Sequence, residues 1–80
     1  IQPITIISYN LPIDSHVNIS IFDVLGRKVK TLTDQHMKAG KNRVQWNGVN
    51  DQGKLLAGGV YIYKIISGGY NQSKKMILVK

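Results

Sequence analysis

Val44-Gln45-Trp46-Asn47-Gly48-Val49-Asn50-Asp51-Gln52-Gly53-Lys54-Leu55-Leu56-Ala57-Gly58-Gly59-Val60-Tyr61-Ile62-Tyr63-Lys64 reads as strand, turn-rich crossing, strand. Val44 and Trp46 alternate with Gln45, and Val60-Tyr61-Ile62-Tyr63 is a β-branched and aromatic run suited to a pleated surface. Between them, Asn47-Gly48, Asn50-Asp51-Gln52-Gly53 and Gly58-Gly59 tolerate positive φ or bond their own backbone. Trp46, the single tryptophan, stands at the mouth of the crossing and is the expected core anchor, because its ring buries more apolar area than any other side chain.

Upstream, Ile4 to Leu11 is the first strand, with Ile7, Tyr9 and Leu11 on one face by period two. Pro12 ends it, and Ile13-Asp14-Ser15-His16 makes a short connection. Val17 to Asp23 has the cleanest alternation in the chain, Val17, Ile19 and Ile21 inward, Asn18 and Ser20 outward. Asp23-Val24-Leu25-Gly26-Arg27 is a hairpin turn. Arg27 to Leu32 follows as an edge strand, since Lys28 and Lys30 discourage pairing with a second molecule. Thr33 to Lys38 is polar and reads as a loop or one helical turn, after which Gly40 restarts a strand to Trp46. Downstream, Val60 to Ile66 places Tyr61, Tyr63 and Ile65 on one face, Ser67-Gly68-Gly69 turns the chain, and Tyr70 to Lys80 ends it. Six to seven short strands without a sustained helical period predict an all-β fold, a small antiparallel Ig-like β-sandwich over residues 1–80.

Eighty residues make one domain with a thin core, and 42% hydrophobic residues make it globular. No run is long enough to span a membrane as a helix and no amino-terminal signal pattern is present, so any export signal belongs to a longer parent. The absence of cysteine excludes disulfides, thiolate nucleophiles and thiolate metal sites. The formal charge is +7, eleven Lys and Arg against four Asp and no Glu, which favours acidic partners. The cations are spread along the chain, as on a solvated exterior.

Candidate chemistry is sparse. His16, His36 and the four aspartates fall in or beside expected turns. Asp14-Ser15-His16 is not a triad, because neighbours on an extended chain point to opposite faces. Asn50-Asp51-Gln52-Gly53 lacks the alternating carboxylates and bidentate Glu of a calcium loop, and two isolated histidines do not make a zinc site. No helix follows the glycines of the crossing to complete a phosphate cradle. The expectation is a non-enzyme without metal or cofactor. Tyr9, Trp46, Tyr61 and Tyr63 face inward, which leaves Phe22 and Tyr70 as exposed rings, too few for specific nucleic-acid recognition but a possible pair for stacking on sugars.

Several ordered blocks match a known pattern: Ile7-Ser8-Tyr9-Asn10-Leu11-Pro12, Val17 to Arg27, Ala39-Gly40, Trp46-Asn47-Gly48, Asp51-Gln52-Gly53, Gly58 to Tyr63, and Lys74 to Lys80. The chain resembles the carboxy-terminal sorting domain of type IX secretion cargo, and the related Ig-like module of the flagellar hook-capping protein shares much of the pattern. The sorting resemblance implies a noncatalytic carboxy-terminal module of a larger secreted protein such as a hydrolase. It implies recognition by outer-membrane secretion and attachment machinery, anionic lipopolysaccharide or polysaccharide as a further partner, and a cell-surface or extracellular location. The partner-binding residues it implies are Lys74, Lys75, Met76 and Lys80, with Gly59 and Tyr61 from the preceding block. For Gly59 and Tyr61 a corner and a core ring are the structural alternatives. The pattern departs from that family at Asn47, which replaces an Asp, and before the first strand, where only Pro3 stands near an expected Asn-Pro-Phe-like segment. The ending at Val79-Lys80 favours the sorting reading over a structural unit of a filament cap, and an accessory carbohydrate-binding or spacer module of a glycoside hydrolase is the second reading.

Overall fold

The computed structural model describes residues 4–79. Six strands are formed among them: β1 (Thr5–Leu11), β2 (Ser15–Phe22), β3 (Lys28–Met37), β4 (Gly40–Trp46), β5 (Gly59–Ser67) and β6 (Tyr70–Leu78). They build two antiparallel sheets, a pair β1-β4 and a four-stranded sheet in the order β3-β2-β5-β6. The all-β sandwich is the expected one, with six strands.

The alternation that marks β1 and β2 in the sequence is the packing itself. Ile7, Tyr9 and Leu11 of β1 meet Val17, Ile19 and Ile21 of β2, together with Trp46, Tyr61, Ile65 and Leu78, in one buried cluster. Each fully buried aliphatic side chain here is worth about 1.5–3 kcal/mol against exposure. Trp46 is the largest fully buried side chain. Its indole N–H donates to Val49 O at 2.9 Å, so the ring enters the core with its polar atom satisfied.

The sequence reading fails on β3. Thr33 to Met37 continues the strand where a loop or helical turn was expected. The stretch is polar and so reads as loop, yet it pairs with Ser15 to Ile19 in unbroken register. Two β-bulges precede it: opposite β2, Thr33 and Thr31 pair with Ile19 and Ser20, and Lys30 and Lys28 pair with Ile21 and Phe22, leaving Leu32 and Val29 unpaired. Both unpaired residues pack partly buried against the core. Each bulge breaks the period of two, so the alternation cannot be followed by eye. Ser20 faces outward as its spacing predicts, but it is buried there between Thr31 and Lys64, with its hydroxyl donated to Asn18 Oδ1 at 2.9 Å.

The crossing from β4 to β5 is held by its own turn chemistry. Asn50 Oδ1 accepts the Gln52 and Lys54 amides at 3.0 and 2.9 Å. The loop then reaches β3: the Asp51 amide donates to Val29 O at 3.0 Å, and Asp51 Oδ1 accepts the Thr31 amide at 3.1 Å. One edge of the four-stranded sheet is therefore covered. Among the described residues no backbone bond from outside the sheet reaches β6, the other edge.

Candidate functional site

Reactive side chains do not converge. Among the described residues no group of three or more His, Cys, Asp or Glu could hold a metal ion. His16 and His36 are not turn residues: they lie on β2 and β3, directly opposite one another. Exposed His16 Nε2 lies 2.7 Å from Asp34 Oδ1. The Ser15 hydroxyl turns away from His16, 2.7 Å from the Ser67 hydroxyl and 3.2 Å from Ile13 O. Asp14 accepts the Ala39 amide at 2.8 Å. Asp23 accepts the Leu25 and Arg27 amides, each at 3.0 Å, and pairs with the Arg27 guanidinium at 2.8 Å. The Arg27 amide, followed by that side chain and the Leu25 amide, holds the Asp23 carboxyl below the usual carboxylate range. Burial pushes the Tyr9 and Tyr63 phenols up, with Tyr70 adding to the effect at Tyr63, so neither offers a phenolate at neutral pH.

The residues named from the sequence as partner contacts divide between two roles. Tyr61 is a core ring: it is buried, meets Trp46 edge-on at 5.4 Å between centroids, and donates its hydroxyl to Ala57 O at 2.7 Å. That bond ties the end of the crossing to the start of β5, much as the tyrosine corner does in Ig-like sandwiches. Gly59 opens β5 at φ 146, a backbone state that favours glycine, opposite Leu78. Met76 pairs with Tyr61 and packs partly buried against the core. Lys74 and Lys75 are exposed, but they are not one block. Lys74 pairs with Tyr63 on the core side of the sheet, whereas Lys75 pairs with Ile62 on the outer side. Lys80 and Pro3 lie outside the described residues.

The two rings singled out for sugar stacking also separate. Phe22 pairs with Ile62 on the outer face and carries the Lys64 ammonium 5.5 Å from its ring centroid. Tyr70 pairs with buried Ser67, on the opposite face, and its hydroxyl is bonded to the Gln72 side chain. They form no common platform. Open features among the described residues are instead the strand edges of β1, β4 and β6 and the outer face of the four-stranded sheet. That face was missed because its residues alternate with core positions on four strands, and only the register shows which of them become neighbours.

Comparison with known proteins agrees with the fold. The family model described as the FlgD Ig-like domain matches residues 4–69. The crystal structure of FLGD from P. aeruginosa superposes with a TM-score of 0.76 at 23% identity, covering 95% of this chain. The chain spans 61% of that protein's length in the structure. No curated protein matches.

These findings overturn the expectation of a sorting module. With it go the accessory carbohydrate-binding or hydrolase-module alternative, the outer-membrane secretion and attachment machinery, lipopolysaccharide or polysaccharide as partners, and the cell-surface or extracellular location. The physical reason is plain. Trp46-Asn47-Gly48, Gly58-Gly59-Val60-Tyr61 and the alternation of β2 spell corners and core, which two families with one architecture share, and say nothing about a partner. The ending at Val79-Lys80, which tipped the reading, does not discriminate between them.

Proposed function

Because the chain belongs to the FlgD Ig-like domain family, we propose that it is a noncatalytic assembly module of a flagellar hook-capping type of protein, one sandwich within a longer chain. The match over residues 4–69 carries this reading. The distribution of polar groups supports it: the aspartates serve turns, strand ends and surface pairs, and strand edges are left open. In such a module the work is done by rigid surfaces presented to other subunits. Lys74, Lys75 and Met76 on the β6 edge are the proposed contacts, and Gly59 and Tyr61 fix the strand that supports them. An added strand would find backbone donors and acceptors along β6.

The test is an in-frame deletion of residues 4–79 from the gene of the parent protein, in the bacterium that encodes it. Swimming in soft agar should be lost while the truncated parent is still made. Normal swimming, or an organism without flagella, would overturn the proposal.

A further inference from the structure

We propose that the outer face of the four-stranded sheet docks an acidic protein segment in which apolar side chains stand between carboxylates. This names a partner chemistry for the assembly module and rests on that reading. The register sets out the surface. Lys28, Phe22, Ile62 and Lys75 form one row across β3, β2, β5 and β6. On one side lies the pair Val60 and Ile77, and on the other Thr31, Ser20, Lys64 and Ser73. Ile77 is 64% exposed and Val60 37%. The β2–β3 hairpin tip adds Val24 and Leu25, 67% and 74% exposed, which border Gly58 to Val60. An apolar strip rimmed by charge marks an interaction surface more than a solvated one.

Charge selects the partner. Lys28, Lys64 and Lys75 stand in these rows with no carboxylate, and among the described residues none of the three is within ion-pair distance of one. The acids around the sheet are engaged, Asp34 with His16, Asp23 with Arg27, and Asp51 with Lys30 and the Thr31 amide. A second copy of this chain, at formal charge +7, would oppose lysine to lysine. Nucleic acid fits less well than protein, since the Phe22 ring is half-buried under Lys64 and offers no open aromatic face, while the other apolar groups are aliphatic. The outer face of the β1-β4 pair is an internal control: it carries Lys41 and Arg43 but, within the strands, only Ile6 as an exposed large apolar group.

The experiment titrates the isotope-labelled 80-residue chain with a nonapeptide alternating aspartate with leucine and valine, and maps the amide shifts. Shifts should concentrate on Phe22, Lys28, Val60, Ile62, Lys64, Lys75 and Ile77. Lys64→Gln with Lys75→Gln, the first half-exposed beside the Phe22 ring and the second exposed, should weaken binding about fivefold, which is about 1 kcal/mol for the two rim pairs together. A peptide with asparagine for aspartate, and one with serine for leucine and valine, should each bind more weakly. Equal binding of the asparagine peptide, shifts as large at Lys41 and Arg43, no shift at millimolar peptide, or displacement of the peptide by oligo-dT from the same residues would each overturn the proposal. Because this assay needs no flagellum, its failure beside a deletion that abolishes swimming removes the docking face alone.

Discussion

Replacing Tyr61 by Phe removes one hydroxyl and leaves the ring, and so separates the corner bond from the packing. The hydroxyl donates to Ala57 O at 2.7 Å, and the ring meets Trp46 edge-on at 71°. A neutral hydrogen bond contributes about 0.5–1.5 kcal/mol net. Ala57 is exposed, so its carbonyl regains water when the partner is lost, which holds the cost of Tyr61→Phe to about 1 kcal/mol. For a domain of this size that lowers Tm by about 4–8 °C. Tyr61→Ala also removes the ring, at about 3–5 kcal/mol including the edge contact. Against a total of about 4–12 kcal/mol expected for 80 residues, that removes about half of the stability at mid-range and unfolds the domain at the lower end. Urea unfolding followed by Trp46 fluorescence measures both, with the m value as a check that the unfolded state is unchanged. If Tyr61→Phe were silent and Tyr61→Ala cost less than about 1 kcal/mol, far below the usual aromatic truncation, Tyr61 would be a surface contact and the corner argument would be wrong.

Gly48→Ala should destabilise by about 1–3 kcal/mol in thermal melts, since Gly48 sits at φ 79 and a Cβ there would lie 3.2 Å from Leu78 Cδ1. Asn50→Ala should cost about 1 kcal/mol and speed amide exchange at Gln52 and Lys54, whose N–H groups Asn50 Oδ1 accepts. Asp23 has a folded pKa below its unfolded one, so its contribution is complete above the usual carboxylate value of about 3.9 and is lost as pH falls through the depressed folded value. Asp23→Asn keeps an acceptor for the Leu25 and Arg27 amides, so the variant should flatten the acid limb of a stability–pH curve; an unchanged limb would remove Asp23 from the account.

The sequence carries the sandwich where the period of two runs unbroken. Ile7, Tyr9 and Leu11, and then Val17, Ile19 and Ile21, are all buried as their spacing requires, and Trp46 is the anchor its size predicts. Legibility stops at the bulges. Val29 and Leu32 shift the phase of β3, and the polar residues from Thr33 to Met37 that follow read as loop although they are paired strand, so His36 arrives opposite His16 unannounced. Cross-strand neighbours depend on that accumulated register, which is why Lys74 and Lys75 read as one basic block and emerge on opposite faces, and why Phe22 and Tyr70 read as a pair of rings and do not meet. Function was less legible than fold for a related reason. The blocks that stand out in the chain, Trp46-Asn47-Gly48 and Gly58-Gly59-Val60-Tyr61, build the corner and core, whereas the face proposed for docking is assembled from single residues on separate strands.

The most direct test of the central claim is an exchange of domains: residues 4–79 of the parent protein are replaced by the Ig-like unit of P. aeruginosa FLGD, and hooks per cell are counted by electron microscopy. As a hook-capping assembly module, the substituted unit should restore hooks that the deletion abolishes. A stable, expressed chimera with no more hooks than the deletion, or a deletion that leaves hook number unchanged, would contradict it.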